Sequence, residues 1–455
     1  MHENNECKSL FYIELCVLQE AFLLKQKELI LIFRGLHIKD RIKRVARKLP
    51  IIGEYAYKLL NIGKLYKAYT ATFATTRIYI DFIINDFFTK QSLLYQDNPL
   101  DIHLLCSKSA SITGSLNQGK LNKRFAYLPI LFQNKPILSV NDKDWEGADF
   151  YFIWGLHPEI PKLKLLQSAM NLDKPVLLLE GGFITSITTW VDRKAAKEYK
   201  SNISFVVDDI SHYYNRTRPS RLLTMLNSDR KLSDEEKTRA KNLIKTIVTQ
   251  KLSKYNHQPI FNPQIGRQGR SKVLVIDQSY ADYSIGKGGA SDYVFNNMLQ
   301  CAIEENPHSD IIIKTHPDII SNKSRTGYFV NIKDHDNIYT VRYPINPISL
   351  LQVVDKVYVC TSQFGIEALM CGKEVVTCGV PFYAGWGLTD DRNHLITGTR
   401  TRTRTLEELF YFAYVLYSHY VDPRSNSLCE IETSIDNILH NREEYFKKFK
   451  IRHDI

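Results

Sequence analysis

The sequence has few of the residues and patterns that mark specialised chains. With 21 Gly and 16 Pro in 455 residues, it is too poor in both for a collagen-like or low-complexity chain. Its eight Cys include no Cys-x-x-Cys pair and no Cys/His cluster at zinc spacing, which favours reduced thiols in the cytosol. No uncharged apolar run reaches the roughly 18 to 20 residues that would span a bilayer. The N-terminus MHENNECKSL is acidic where a signal peptide is basic, so we expect a cytoplasmic protein.

The composition is that of a folded globular protein with an anionic partner. Hydrophobic residues make up 44% and charged residues 24% of a chain long enough for two or three domains. The chain carries 60 Lys and Arg against 49 Asp and Glu, a formal net charge of +11. This excess favours nucleic acid, a membrane surface, or phosphorylated or carboxylated small molecules as partners.

Much of the positive charge lies in residues 25–67. This segment contains twelve Lys and Arg against Glu28, Asp40 and Glu54, and its apolar residues recur at roughly helical spacing, as in a basic amphipathic helix. One interpretation is a solvated helical face packed on the rest of the protein. The other is contact with anionic lipid, which would make the protein peripheral on the inner membrane. No nucleic-acid-binding motif accompanies the charge, so we expect no nucleic acid partner.

From about residue 96, short apolar strand candidates alternate with helical stretches, which predicts an α/β fold. The strand candidates are FAYLPILF, residues 148–155, 175–180 and 203–209, and, in a second series, residues 272–277, 311–315, 356–360 and 374–379. Residues 256–272 are rich in turn-formers and read as a linker. We predict two Rossmann-like domains that face a cleft, with a basic helical region over 1–95, domains over 96–265 and 266–403, and C-terminal helices over 404–455.

Ligands of open α/β sheets bind beyond the carboxyl ends of the strands, so residues there are candidates for a site. Glu180 precedes two glycines after residues 175–179, although a strand-ending turn with a solvated Glu is the alternative. The loop after residues 272–276 holds two carboxylates, and its glycine-rich end matches neither Gly-x-Gly-x-x-Gly nor a P-loop. The candidates in this loop are Asp277, Gln278, Asp282, Gly288 and Gly289.

The later strand ends are also polar. Lys314 lies near the end of the strand candidate 311–315 and His316 follows it. Ser362, Gln363 and Glu367 lie at the start of a predicted helix, where plain N-capping is the alternative to phosphate and ribose binding. The loop PFYAGWGLTDDR has the composition of a lid or sugar platform and contributes the candidates Tyr383, Trp386 and Arg392. Asp334-x-Asp336 superficially resembles a metal-binding acid pair, but its polar setting favours a surface loop, and we predict no metal site.

Taken together, LEGGF, DQSYADYSIGKGGAS, KTHPD, YVCTSQFGIEAL and PFYAGWGLTDDR resemble, in order and approximate spacing, the capsule and lipopolysaccharide β-Kdo transferases of the KpsC type. The resemblance covers about residues 145–410. It implies a two-domain GT-B enzyme that uses CMP-Kdo without a cofactor. The family usually has Glu-Asp-Gly-Phe followed by Arg-Ser, whereas this chain has Gly181 and Thr185 at the two charged positions. Capsule enzymes of this type often hold two catalytic modules, and this chain has one.

The resemblance also implies roles for the candidates. Asp282 is expected as the nucleophile of a retaining double displacement and Glu180 as the acid/base, with Asp277 the competing nucleophile. Lys314, His316, Arg392 and the helix start at Ser362 would hold the donor's phosphate and carboxylate. The expected partners are CMP-Kdo, a glycan or glycolipid acceptor and capsule-assembly proteins. The alternatives are another CMP-sugar or polyol-phosphate transferase, and a non-catalytic capsule-assembly binding protein.

Overall fold

The computed structural model describes residues 80–95, 100–112, 116–117, 120–121, 125–139, 145–156, 160–189, 195–280, 282–321 and 325–453. All of them belong to one compact unit, Arg77–Ile455. The basic segment 25–67 lies outside the described residues, and its amphipathic helix stays a prediction. Within the described ranges, no helix has both the length and the apolar character that crossing a membrane requires.

The described strands follow the sequence from residue 110 to residue 429. They are β1 (Ala110–Ile112), β2 (Leu116–Asn117), β3 (Lys120–Leu121), β4 (Ile137–Ser139), β5 (Phe150–Trp154), β6 (Val176–Gly181), β7 (Ser204–Asp208), β8 (Lys272–Ile276), β9 (Asp310–Lys314), β10 (Ile338–Val341), β11 (Lys356–Val359), β12 (Glu374–Thr377), β13 (Asp390–Asp391), β14 (Ser418–Asp422) and β15 (Ser427–Cys429).

The described helices begin with α1 over residues 80–94. The others are α2 (Ile102–Cys106), α3 (Leu128–Leu131), α4 (Ile160–Leu172), α5 (Lys197–Lys200), α6 (Arg221–Asn227), α7 (Asp234–Thr249), α8 (Tyr283–Lys287), α9 (Asp292–Glu305), α10 (Pro317–Ser321), α11 (Pro347–Leu351), α12 (Phe364–Met370), α13 (Leu406–Phe410, continued by a π-helix over Tyr411–Leu416) and α14 (Ile431–Phe449).

The first sheet has seven strands in the order β15–β14–β7–β6–β5–β1–β4. Strands β4, β1, β5 and β6 are parallel, whereas β7 runs antiparallel to β6 and pairs Val206 with Glu180. The prediction of a strand at FAYLPILF is wrong, because α3 forms there. Pro129 lies in the first turn of that helix, where its missing N–H costs no hydrogen bond.

The second sheet has six strands, all parallel, in the order β10–β9–β8–β11–β12–β13. Its central strands read KVLVI, DIIIK and KVYV and are almost entirely buried. Such continuous β-branched runs are typical of parallel strands that are covered on both faces. This sheet confirms the α/β class and places the polar loops after β8, β9 and β11 at one edge.

The C-terminal region is not purely helical, which corrects the prediction for residues 404–455. After the π-helix, the chain forms the hairpin β14–β15, and β14 pairs antiparallel with β7 of the first sheet. In its sequence SHYVD, Tyr420 and Val421 are buried. Aromatic and β-branched residues of this kind are enriched in strands. Helix α14 then packs against this sheet side.

The two sheets share one continuous hydrophobic core within the compact unit. Phe183, just after β6, packs its ring 4.9 Å from both Phe382 and Tyr414. The Gln363 side-chain amide also donates to the Phe183 carbonyl at 2.7 Å. Aromatic packing and a half-buried hydrogen bond therefore join the first sheet to the second, and the domain boundary at 265/266 stays a prediction.

Candidate functional site

Glu180 lies at the carboxyl end of β6, where its side chain is half-buried. Its Oε1 accepts a hydrogen bond from the Gly181 N–H at 3.0 Å. Its Oε2 lies against Gly155, since a Cβ there would be 3.4 Å away, and Gly155 has a positive φ of 59°. The positive φ accounts for glycine at 155, and the Glu180 carboxylate lies beside the end of the neighbouring strand.

Asp277 and Asp282 share one loop but differ in surroundings. Burial raises the pKa of Asp277 to about 6, and its Oδ1 accepts from the N–H groups of Gln278 and Tyr328, each at 2.9 Å. Asp282 is exposed and caps α8, accepting from the Ser284 N–H at 2.9 Å and the Ser284 hydroxyl at 2.7 Å. Asp277 thus anchors the segment around Tyr328, while Asp282 presents its carboxylate to solvent.

Glu180 and Asp282 come from different sheets but act on the same pair of tyrosines. Desolvation raises the pKa of Tyr214 well above its usual range, and the carboxylates of Glu180 and Asp282 both raise it further. Both carboxylates also raise the pKa of Tyr213. Coulombic effects of this kind weaken with distance. Contacts place both carboxylates near this pair. The Glu180 Oε2 and the Tyr214 hydroxyl lie 3.4 and 3.9 Å from the position of a Cβ on Gly155, and the helix that Asp282 caps accepts the Arg216 N–H at its Lys287 carbonyl at 3.0 Å.

His316 also belongs to this region. Its Nδ1 accepts from the Asp318 N–H at 3.2 Å and lies 3.3 Å from the Ser279 hydroxyl. Desolvation lowers its pKa, while the Asp318 and Asp282 carboxylates act in the opposite direction. A neutral ring whose Nδ1 accepts carries its proton on Nε2. His316 therefore offers an Nε2–H donor near Asp282 without being an imidazolium.

Lys314 is buried behind these groups. Its ammonium donates to the Thr315 carbonyl at 2.7 Å, and burial lowers its pKa to about 7 despite the nearby Asp277. A lysine that is held in this way is a weak partner for a donor phosphate. Its position supports the loop after β9 rather than the open side of the site.

The glycines and hydroxyls of the remaining motifs mostly contact protein. The Gln278 amide bonds Thr361, donating to its hydroxyl at 3.0 Å and accepting from its N–H at 3.0 Å. A Cβ on Gly289 would meet the Arg216 side chain at 2.8 Å, and a Cβ on Gly288 would meet the Ser284 carbonyl at 2.9 Å. These glycines therefore permit close packing, and phosphate binding by them stays a prediction.

Ser362 and Glu367 have different surroundings. The Ser362 hydroxyl accepts from the Phe364 N–H at 3.2 Å at the start of α12. Glu367 is buried, its Oε1 accepts from the Ser253 hydroxyl at 2.7 Å, and burial raises its pKa to about 7. Glu367 therefore bonds the segment before the second sheet, and its buried position does not support the predicted contact with ribose.

The aromatic residues of the block 381–392 lie in the core rather than in a lid, contrary to the prediction, whereas residues 387–392 are exposed or half-buried. Tyr383 and Trp386 have 0% exposure. The Tyr383 ring packs on Gly365, and the Trp386 indole donates to the Phe382 carbonyl at 2.8 Å. Arg392 pairs with Glu305 at 2.7 Å and Asp390 at 2.6 Å. Tyr383 and Trp386 are thus packed in the core and Arg392 is held in ion pairs, so the structure does not support their predicted substrate contacts.

Sequence reasoning missed the tyrosine pair. Tyr213 and Tyr214 follow β7 in the segment HYYNR, and a strand end followed by adjacent aromatics was an available signal. Because β7 is antiparallel to β6, its end lies at the opposite edge of the sheet, and the rule for parallel strand ends does not predict a site there. The return of the loop to Glu180 depends on the tertiary structure.

Surface grooves lie apart from these motifs. One of about 600 Å³ runs between α7 and α14 and is lined by residues that include Asp234, Arg239 and Glu432.

Asp334 accepts from the Thr340 N–H at 2.8 Å and Asp336 is exposed with a φ of 47°, as expected for a surface turn. Among the residues with described positions, no three His, Cys, Asp or Glu side chains gather as metal ligands.

Comparison with known proteins finds a matching family model and similar relatives. Residues 262–420 match the family model of capsule polysaccharide biosynthesis proteins. The chain is 40% identical over 301 residues to the capsule polysaccharide modification protein LipA of Neisseria meningitidis serogroup B, a match that covers 65% of this chain and 42% of LipA. It is 35% identical over 291 residues to the lipopolysaccharide-processing protein LpsZ of Rhizobium meliloti, covering 63% of this chain and 62% of LpsZ. The chain thus spans less than half the length of LipA.

Two solved structures are similar over most of this chain. The β-Kdo 2,4 transferase of Thermosulfurimonas dismutans KpsC is 33% identical with a TM-score of 0.63, covering 72% of this chain and 98% of that one. The β-Kdo 2,7 transferase of the same KpsC shares the fold at 24% identity and a TM-score of 0.50, covering 73% and 99%.

The fold and the family match define the class, an α/β protein of capsule polysaccharide biosynthesis. Within that class, the chain belongs to the capsule and lipopolysaccharide Kdo transferase family.

Proposed function

We propose that this protein is a retaining glycosyltransferase that moves Kdo from CMP-Kdo to a glycan or glycolipid acceptor in capsule or lipopolysaccharide biosynthesis. The observation that supports the proposal is that Glu180, from the first sheet, lies beside Tyr214, while Asp282, from the second, caps a helix that bonds the same loop through Arg216. Two carboxylates that flank one space are what a double displacement at a sugar carbon requires.

In the first step, an Asp282 carboxylate oxygen attacks the anomeric carbon of Kdo and the bond to the cytidylate phosphate breaks. The electron pair of that bond leaves with CMP, which needs little protonation because phosphate is a weak base. The Nε2–H of His316 would donate a hydrogen bond to the leaving phosphate oxygen. The product is a glycosyl ester on Asp282 with inverted configuration.

In the second step, Glu180 takes the proton of the acceptor hydroxyl. The acceptor oxygen attacks the anomeric carbon and displaces the Asp282 carboxylate, which inverts the configuration a second time. Glu180 then releases its proton to water. Two inversions give overall retention, and no cofactor or metal enters either step.

The anionic donor needs groups that are not already committed. Lys314 donates to a carbonyl and Arg392 holds two acids, which leaves His316 and the Ser362 hydroxyl of the four groups first considered. Ser362 Oγ accepts from Phe364, so its O–H remains able to donate to a phosphate oxygen.

The missing acid at position 181 bears on whether the protein is catalytic. Successive residues of a strand point to opposite faces, so a side chain at 181 points away from Glu180. A Cβ there would lie 3.2 Å from the Asn202 Nδ2 and 3.3 Å from Thr185. The Asn202 Nδ2 is buried and has no hydrogen-bond partner among the described residues. An acid at 181 would therefore satisfy Asn202 rather than join Glu180, and its loss leaves the proposed chemistry intact.

The purified protein should be offered CMP-Kdo and CMP-sialate separately, with a short glycan or lipid acceptor. CMP release and a product heavier by one Kdo residue with CMP-Kdo alone would support the proposal. Turnover of CMP-sialate instead would favour another CMP-sugar transferase. Nucleotide binding without hydrolysis or transfer would favour a non-catalytic capsule-assembly protein.

We further propose that residues 25–67 hold the protein at the anionic inner-membrane surface, where glycolipid acceptors and capsule-assembly partners are available. The local excess of nine positive charges supports this, because each basic residue near an anionic bilayer contributes about 1 kcal/mol of attraction.

A further inference from the structure

Asp81 of α1 contacts the helix that Asp282 caps. Asp81 Oδ2 accepts from the Lys287 ammonium at 2.7 Å, and Asp81 Oδ1 accepts from the Tyr283 hydroxyl. The Lys287 side chain is 13% exposed and that of Asp81 is 29% exposed. This ion pair is therefore partly desolvated and holds both ends of the short helix α8.

The other end of α1 is fixed to the strand that carries Glu180. The Gln91 amide donates to the Val176 carbonyl at 2.9 Å and to the Asp209 carbonyl at 2.8 Å, and its Oε1 accepts from the Val176 N–H at 2.8 Å. Val176 begins β6, and Glu180 lies near its end. Ten helical residues span about 15 Å, so α1 connects β6 to α8 as one rigid element.

The loop with the tyrosine pair joins the same contact. Arg216 donates its backbone N–H to the Lys287 carbonyl at 3.0 Å, and the Arg218 guanidinium donates to the Asn85 carbonyl of α1 at 2.7 Å. Three elements meet here, namely α1, α8 and the loop over residues 211–220. Each of them is bonded to the others.

We infer that α1 is a strut that sets the separation between Glu180 and Asp282, and that Asp81 is its positioning residue. This inference rests on the proposed function for its catalytic consequence. Asp81 bonds the first and last residues of α8, so it fixes the orientation of a helix of only five residues. Short helices are marginal without such contacts. Without Asp81, α8 and its N-cap carboxylate would move relative to Glu180.

The test compares Asp81→Asn, Lys287→Gln and the double variant with the full-length protein, and Asp86→Asn serves as the matched control. Asparagine at 81 can still accept from Tyr283 but no longer pairs with a charge. Asp86 lies on the same helix and pairs with Lys90 on the surface. Steady-state transfer from CMP-Kdo gives kcat and KM, and hydrogen exchange reports on residues 282–288.

A displacement of reacting groups by about 1 Å can cost as much as roughly a hundredfold in rate. We expect kcat to fall at least about tenfold in each single variant, with KM for CMP-Kdo unchanged and the double variant no worse than either single one. Exchange of residues 282–288 should accelerate in Asp81→Asn and not in Asp86→Asn.

Unchanged kcat and unchanged exchange in Asp81→Asn would overturn the inference, as would an equal effect of Asp86→Asn. A wild-type protein that does not turn over CMP-Kdo would instead refute the proposed function. In that case the exchange measurement alone decides whether Asp81 holds α8 in place.

Discussion

Replacing Asp282 by Asn separates the proposed chemistry from the local fold. Asp282 is the N-cap of α8 and accepts from the Ser284 N–H at 2.9 Å. Asn caps helices about as well as Asp, whereas Ala costs about 1 kcal/mol at such a position. Asp282→Asn should therefore keep the stability of the wild type, and Asp282→Ala should lose about 1 kcal/mol, a shift of the melting temperature of at most about 2–4 °C.

The expected loss of activity is much larger. Removing a nucleophile commonly lowers kcat by about 10⁴-fold or more, which is about 5 kcal/mol in the activation barrier. Both variants should lose transfer to this extent although their stabilities differ. Transfer is measured by CMP release and product mass, and stability by thermal and denaturant unfolding.

A trapping experiment strengthens the same test. In Glu180→Gln, the second step lacks its base, so mass spectrometry should detect a Kdo residue on the Asp282 peptide after addition of CMP-Kdo. Wild-type turnover by Asp282→Asn would refute the assignment of the nucleophile. An adduct on Asp277 would show that the buried carboxylate is the attacking group.

Three further outcomes follow from the described contacts. Trp386→Ala should destabilise the protein by about 3–5 kcal/mol, whereas Arg392→Met should change kcat little because Arg392 holds only surface acids; chemical denaturation and transfer assays compare the two, and a selective loss of donor binding in Arg392→Met would restore its predicted role. Burial lowers the pKa of His212 to about 3, so its stabilising contribution is complete above about pH 6.5 and is lost as the pH falls toward 3, at about 1.4 kcal/mol per pH unit. Unfolding free energies from pH 7 to 4 should therefore fall less steeply in His212→Phe, and an identical slope would contradict the burial argument. Deletion of residues 1–70 should abolish binding to vesicles that contain anionic lipid, and undiminished binding would remove the membrane proposal.

Strands β8, β9, β11 and β12 of the second sheet could be predicted from the sequence because each contains a buried apolar run with a polar loop behind it. Strands β10 and β13 were not predicted, because they are short and partly exposed. The same local signal made Glu180, Asp282 and His316 candidates, because their positions depend mainly on where a strand ends, and their catalytic roles stay predictions. It failed for Tyr383 and Trp386, because aromatic residues among glycines have the same composition in a buried turn and in a lid. Only the packing of Tyr383 on Gly365 distinguishes the two.

Pairing partners distant in the chain could not be predicted from sequence. Arg392 bonds Glu305, 87 residues away, and Glu367 accepts a hydrogen bond from Ser253, 114 residues away. The strand at residues 418–422 was missed because its short apolar segment directly continues a helical run. Pairing with β7 decides its conformation.

The return of β14 and β15 to the first sheet has a practical consequence for dissecting the protein. A fragment that stops at residue 403 would lack both strands and would leave β7, with the buried residues Phe205, Val206 and Val207, as an uncovered edge open to self-association. The two sheets of this protein are interleaved along the chain, so shuffling modules between relatives requires exchanging the tail beyond residue 417 together with the front of the chain.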